Sequence, residues 1–348
     1  MHLNPMDFST LLEKLYAGSH LQNEEARELM YATMDGALTP VQISAWLSAM
    51  RMRAESSDEI AVFAEVLRDK AVAFTPALEE PLLDTCGTGG DRSGILNVST
   101  LAALTLASMG IKVAKHGNRA VSSKTGSADL LEKLGYPVQE EAGLAAKRLA
   151  AHNFVFLFAP AYHPAMKYAG PVRKEMGVRT VFNLLGPLAN PARASLHVLG
   201  VFQKNLMSIM ANALHNLGVK HALVVHSRDG LDEISPCAPT DYILLSNGNL
   251  TSGTIDAGRY SRQIENLSVL RGGSAEESFE LSNRIIDGTF DAGIEMVAIN
   301  AAAGFMLSDL SANASLPAVD EYIEQKKNQI YDHIKAGNVR EFIQKAFH

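Results

Sequence analysis

The stretch DTCGTGGDRSGILNVST, residues 84–100, gathers three glycines within four residues, an aspartate and a run of small hydroxyl groups ahead of an apolar segment. Gly87, Gly89 and Gly90 are free to take positive φ and let backbone N–H groups approach a ligand closely. Asn97 is a natural N-cap, which places Val98, Ser99 and Thr100 in the first turn of a helix. Free N–H groups and the positive end of the helix dipole favour an anion there. A pocket for phosphate or pyrophosphate is one reading. A tight structural turn before a capped helix is the other. The spacing G-x-G-G is neither a Walker loop, for want of Gly-Lys-Ser/Thr, nor a dinucleotide fingerprint.

The second stretch is KHGNRAVSSKTGSADLLEKLG, residues 115–135. Lys115, His116 and Arg119 supply positive charge, Asn118, Ser122 and Ser123 hydrogen bonds, and Gly117 and Gly126 backbone freedom. A phosphate group is held by such a mixture: a point charge from Lys, a fork from Arg and hydroxyl or backbone donors. A solvated basic surface is the alternative. The third is HSRDGLDEISP, residues 226–236, where Asp229, Asp232 and Glu233 lie next to a glycine. Mg²⁺ takes one or two carboxylates plus waters and substrate phosphates, and this bend suits it. An acidic turn built on Asp229-Gly230 is the bland reading. In HPAMKYAGPVRKEMGVRTVFNLLGPLANPA, residues 163–192, His163-Pro164 opens a helix that Gly177 ends. Arg173 projects from its last turn, either to hold a carboxylate bidentately or to satisfy the helix dipole.

These loops need elements to carry them. Residues 1 to about 72 read as helices, with Leu11, Leu12 and Leu15, then Ile60, Phe63, Val66 and Leu67, at helical spacing. Thr39-Pro40 looks like an N-cap followed by Pro at the first helical position, and Ser57 with Asp58 and Glu59 marks another start. FTPALEEP, residues 74–81, is a linker. Beyond it, apolar runs at Leu82–Cys86, Ile111–Lys115, Phe154–Phe158, His197–Val201 and Ala222–His226 are expected strands. Helical patterns near 97–109, 126–134, 142–151, 204–217 and 275–286 alternate with them, and helices at 292–310 and 318–346 close the chain. Such alternation defines an α/β domain with a mostly parallel sheet, and loops at the carboxyl ends of its strands face one crevice.

The bulk numbers exclude several classes. A net charge of −7 leaves no general surplus of Lys and Arg for nucleic acid. Two cysteines, Cys86 and Cys237, are too few for a disulfide framework and fit a reducing compartment. The N-terminal residues carry no signal-peptide pattern, and the apolar stretch 96–114 is too interrupted by polar residues to span a membrane. A cytoplasmic location is expected.

Taken together, DTCGTGGD, NVST, KHGNRAVSSKTGSADLLEKLG, GPVRKEMGVRTVFNLLGPLANPA and DGLDEIS, in that order, resemble the anthranilate phosphoribosyltransferase family. The resemblance implies a small helical domain, residues 1–73, completed by helices around 163–180. It also implies an α/β domain, residues 80–348, of the nucleoside phosphorylase/phosphoribosyltransferase type. Phosphoribose would pass from 5-phosphoribosyl 1-pyrophosphate to the amine of anthranilate, in tryptophan biosynthesis, with Mg²⁺ as cofactor and a homodimer joined through the helical domain. Carried over by residue, Gly87, Gly90, Asp91, Asn97, Val98, Ser99 and Thr100 would hold the phosphoribosyl substrate. So would the loop Lys115, His116, Gly117, Asn118, Arg119, Ala120, Val121, Ser122 and Ser123, with Ser127. Ser99, Asp232 and Glu233 would hold Mg²⁺. Gly87, Asn118 and Arg173 would contact anthranilate, and Lys115, Asn118 and Arg173 would be the catalytic groups. Ile95 stands where the family commonly has Thr or Ser, and Arg92 where a small residue is usual. A pyrimidine nucleoside phosphorylase of the same fold and a non-catalytic nucleic-acid-binding relative are the competing readings.

Overall fold

The computed structural model describes residues 7–89, 94–120, 125–261, 264 and 266–347. Four helices come first: α1 (Phe8–Tyr16), α2 (Asn23–Met34), α3 (Pro40–Arg53) and α4 (Ser57–Asp69). Their starts are set by local chemistry. Thr39 accepts from the Gln42 N–H and Pro40 takes the first helical position of α3. Ser56, one residue before the expected start, caps α4 in a reciprocal box with Glu59.

After the linker follow β1 (Leu83–Gly87), α5 (Val98–Ser108), β2 (Val113–Gly117), α6 (Ser127–Lys133), α7 (Ala142–His152) and β3 (Phe154–Phe158). Then come α8 (Ala159–Tyr162), α9 (Met166–Met176), α10 (Phe182–Leu185), β4 (Leu196–Gly200), α11 (Leu206–Asn216) and β5 (His221–Ser227). The chain ends with β6 (Thr240–Ser246), β7 (Asn249–Ile255), α12 (Ala275–Ile286), α13 (Asp291–Ser311), α14 (Val319–Lys335) and α15 (Asn338–Phe347). All five expected strands form, each within two residues of its expected bounds. The hairpin β6–β7 was not expected, although Asn247-Gly248, at φ 47° and 85°, is a strong two-residue turn signal. The single closing helix splits at Gly337, which sits at φ 82°.

The sheet runs β3-β2-β1-β4-β5-β6-β7. Its first five strands are parallel, and β6 and β7 are antiparallel. The chain leaves β1 toward β2 and β3 on one side and takes up β4 and β5 on the other. The order reverses between β1 and β4, and the loops beyond their carboxyl ends diverge into a crevice.

One core fills the sheet face beneath α5 and α13. A second joins Leu29, Trp46 and Phe63 of the N-terminal helices to Ala169 and Val172 of α9, and to Leu199 and Val224 on the sheet's other face. The helical unit is thus completed by α9 and seated on the sheet through α11, which packs on α4. Among the described residues α13 is the one helix long and apolar enough to cross a membrane, and 78% of its apolar window is buried between its neighbours.

Candidate active site at the carboxyl ends of the parallel strands

Gly87 at the end of β1 and Gly200 at the end of β4 are register partners, one on each side of the reversal point. The acidic bend after β5 lies directly over both. The Gly89 N–H donates to Asp232 Oδ2 at 2.9 Å. A Cβ on Gly87 would stand 2.5 Å from that same oxygen, and a Cβ on Gly200 only 1.5 Å from the Asp232 carbonyl oxygen. Close approach, not φ, demands glycine at these two positions. Asp232 is 8% exposed and Glu233 is half-buried. Asp229, the third carboxylate of the bend, instead accepts from the Ser235 hydroxyl at 2.6 Å, so it braces the turn.

Lys115, 1% exposed, crosses from β2 to β1. Its Nζ donates to the Thr85 carbonyl oxygen and to Ser99 Oγ, the latter at 3.3 Å. Burial pushes its pKa down, while Asp84, Cys86 and Glu233 oppose that shift. Ser99 is held in turn, its carbonyl accepting from Thr85 Oγ1 at 2.9 Å. Asn97 precedes α5 as expected, but its side chain does not cap the helix. Its Nδ2 donates across to the Gly126 carbonyl at 2.9 Å, tying the glycine turn to the lysine loop. Val98 and Thr100 are buried, and their N–H groups donate to the Leu96 and Asn97 carbonyls at 2.8 and 3.1 Å.

Two charges expected in the lysine loop are engaged elsewhere or missing. His116 is neutral: burial pushes it down to about 3, its Nδ1 bonds the Gly186 carbonyl at 3.2 Å, and its ring stacks edge-on against His163 with centroids 5.1 Å apart. Arg119 is committed to Asp129 at 3.1 Å and Glu132 at 2.7 Å. Asp129 also collects the Ala120 and Gly126 N–H groups at 3.0 and 2.9 Å, which folds the loop back onto α6. Asn118 is exposed, Gly117 ends β2, and Ser127 opens α6 at the same rim. Gly90, Asp91, Arg92, Val121, Ser122 and Ser123 lie outside the described residues. Ile95 packs on the core beneath α5 and bridges Arg271, an apolar side chain covering apolar surface.

Arg173 sits in the last turn of α9, which packs on α2 and α3. The helix begins at Met166, not at Pro164; the carbonyls of His163 and Pro164 cap it as acceptors for Met166 and Lys167. The half-buried guanidinium stacks over Phe182 at 5.0 Å, and burial lowers its pKa. Among the described residues it has no acidic partner.

Beneath the site, sequence reasoning missed a buried polar layer. Asp84, Cys86 and His197 bring an oxygen, a sulfur and a nitrogen within 4.8 Å of one another. A cation is disfavoured there. Asp84 is already bonded by Asn190 and the His116 N–H, burial holds the Cys86 thiol protonated, and Lys115 and Arg68 are the charges nearby. The available signal was an aspartate inside the apolar run LLDTC, since a buried carboxylate is almost always paired.

Two descriptions account for this architecture as one family. The glycosyl transferase family helical bundle domain matches residues 9–71, and the glycosyl transferase family α/β domain matches residues 79–339. The fold and site therefore define a glycosyl transferase of the two-domain type. An anthranilate phosphoribosyltransferase of Brevibacillus brevis is 45% identical over 335 residues, spanning 94% of this chain and 98% of its own. The crystal structure of the anthranilate phosphoribosyltransferase of Thermus thermophilus matches with a TM-score of 0.85 and 38% identity, over 98% of both chains. The fold is also that of the Saccharomyces cerevisiae enzyme in complex with PRPP and Mg, at a TM-score of 0.82 and 23% identity over 99% of both chains. This chain belongs to the anthranilate phosphoribosyltransferase family.

Proposed function

We infer that this protein transfers phosphoribose from 5-phosphoribosyl 1-pyrophosphate to the amine of anthranilate, releasing pyrophosphate. The observation that carries the reading is the contact of Gly89 with Asp232, which joins glycine turn and acidic bend beside Lys115 and Ser99 at the reversal point of the sheet. Nothing in this geometry favours phosphorolysis of a nucleoside or a nucleic-acid surface.

The donor set fits a hard divalent cation: the two carboxylates of a bend that packs Asp232 directly on Gly87 and Gly200, and the hydroxyl of Ser99. Asp232, Glu233 and Ser99 would hold Mg²⁺, which when bound neutralises charge on the pyrophosphate. The chain's own groups do the rest. Lys115 supplies a desolvated point charge for the departing pyrophosphate, and the positive end of the α5 dipole adds to it. Anthranilate's amine is neutral, so no strong base is required; catalysis is positioning and exclusion of water. Arg173, stacked on Phe182 and without an acid of its own among the described residues, suits a carboxylate ligand and is our choice for that of anthranilate. Its helix belongs to the helical unit, so the two substrates are gripped from two bodies. Tyr16, Val41 and Met52, exposed on α1 and α3, support a homodimer through that unit.

Omitting anthranilate, 5-phosphoribosyl 1-pyrophosphate or Mg²⁺ in turn should each abolish product formation. Activity on a pyrimidine nucleoside with phosphate, and none with anthranilate, overturns the reading. Arg173→Ala should raise the KM for anthranilate roughly 10–100-fold, the value of a charge-assisted hydrogen bond of ~1.5–3 kcal/mol, and barely move that of the sugar substrate. Equal changes in both constants remove Arg173 from the anthranilate site. Gly200→Ala should displace the acidic bend and lower kcat/KM by about 10²-fold, the scale of an ångström misplacement. Steady-state kinetics across a Mg²⁺ titration reads the effect.

A further inference from the structure

The ladder between β1 and β2 has a single paired position, Leu83 opposite Val113. By contrast β1 is matched to β4, and β2 to β3, along their whole lengths. The sheet therefore parts between β1 and β2 just below the two loops of the site. Side chains take over the bonds that the ladder lacks. Asn190 Nδ2 donates to the Ala114 carbonyl and to Asp84 Oδ2, both at 2.7 Å. The His116 N–H donates to Asp84 Oδ1 at 3.4 Å, and Lys115 Nζ to the Thr85 carbonyl. The orientation of the Asn190 amide is fixed, because its Oδ1 accepts from the Ala192 N–H at 2.9 Å. Asp84 and Asn190 are both fully buried.

The segment that delivers Asn190 is bound along its length. The Gly186 carbonyl meets His116 of β2 at 3.2 Å, the Pro187 carbonyl meets the Cys86 thiol of β1 at 3.8 Å, and the Leu188 carbonyl accepts from Arg68 Nε of α4 at 2.7 Å. Residues 186–190 thus touch the strand before the glycine turn, the strand before the lysine loop, and the helical unit.

We propose that Asn190 and Asp84 are positioning residues for the transfer reaction: wedged where β1 and β2 part, they fix Lys115 and its loop relative to the glycine turn. The inference rests on the transfer reading above. Asn190 holds the residue before Lys115 and the residue before Thr85, whose carbonyl receives the Lys115 ammonium. Without it the two strand ends are joined only through the ammonium and the long bond from the His116 N–H to Asp84. A buried amide that donates twice to groups with no other use for their lone pairs is costly to remove.

Asp84 offers a way to separate catalysis from folding. Burial pushes its carboxyl up to about 6, against the pull of Lys115 and His116 on β2 and of Asn190; His197 on β4, Cys86 on β1 and Arg68 on α4 complete its surroundings. A raised carboxyl pKa means that ionisation above about pH 6 opposes folding, and that this opposition fades as the pH falls through 6. Asp84→Asn keeps the size and removes that opposition, and it leaves one acceptor oxygen, for Asn190, with the weaker His116 bond given up.

The test measures kcat, both KM values and Tm at pH 7.5 for Asn190→Ala and Asp84→Asn in the full chain. For Asn190→Ala we expect kcat/KM for 5-phosphoribosyl 1-pyrophosphate to fall about 30-fold or more, with the anthranilate KM changed less than about threefold, since Arg173 stands on α9 of the helical unit. For Asp84→Asn we expect about a tenfold loss of kcat/KM with Tm unchanged or raised. If Asn190→Ala does not fold, Asp84→Asn decides alone. A folded Asp84→Asn protein with kcat/KM within about twofold of wild type overturns the proposal, as does a loss matched by a fall in Tm. Wild-type enzyme that makes no product from anthranilate would instead sink the transfer reading, which keeps the two failures distinct.

Discussion

Lys115→Met should reduce kcat/KM roughly 10³-fold while leaving a folded protein, because on the reading proposed above it removes the buried ammonium beside Ser99 that would face the leaving group. The competing cations are engaged elsewhere: Arg119 pairs with Asp129 and Glu132, and His116 is neutral. Met preserves the apolar stem along β2, so packing is largely retained. Asp84 then loses its counter-charge, and its carboxyl, already up at about 6, takes a proton near neutral pH instead of standing as a bare buried anion. The measurement is single-turnover transfer at saturating substrates beside the thermal melt. Retention of more than about a tenth of wild-type kcat/KM would show that pyrophosphate departs without help from this ammonium.

Replacing both Asp232 and Glu233 by Ala should cost about 10²–10³-fold in kcat/KM and flatten the dependence of rate on Mg²⁺ concentration. The argument is geometric. Asp232 lies in contact with Gly87 and Gly89, and Glu233 is close enough to Lys115 to oppose the fall in its pKa. The Gly89 N–H loses one hydrogen bond, worth about 1 kcal/mol. A Mg²⁺ response like that of wild type, in a variant that remains folded, removes these carboxylates from the metal.

The strands were legible because each is a short buried apolar run between turn residues, a pattern that survives packing on both faces. The β6–β7 hairpin escaped although its Asn-Gly turn was in view, since β7 carries Thr, Ser and Gly and lies exposed at the sheet edge. The cap of α3 and the start of α4 were legible because such signals close within three residues; the side chain of Asn97 was not, because its partner Gly126 lies 29 residues away. The positive charge assigned to His116 failed for a similar reason. A histidine's charge depends on its burial, and burial is a property of the packed molecule.

The sequence by itself determined where the backbone must be free, which loops follow strands, and which residue types could meet phosphate, metal and carboxylate, because φ preferences, caps and periodicity act over a few residues. Only the tertiary structure decided that Asp232 lies on a glycine turn 143 residues away, that Arg119 is consumed by its own helix, and that Asn190 closes a gap 106 residues distant in the chain. Those contacts arise from strand order and desolvation, which exist only once the core has formed.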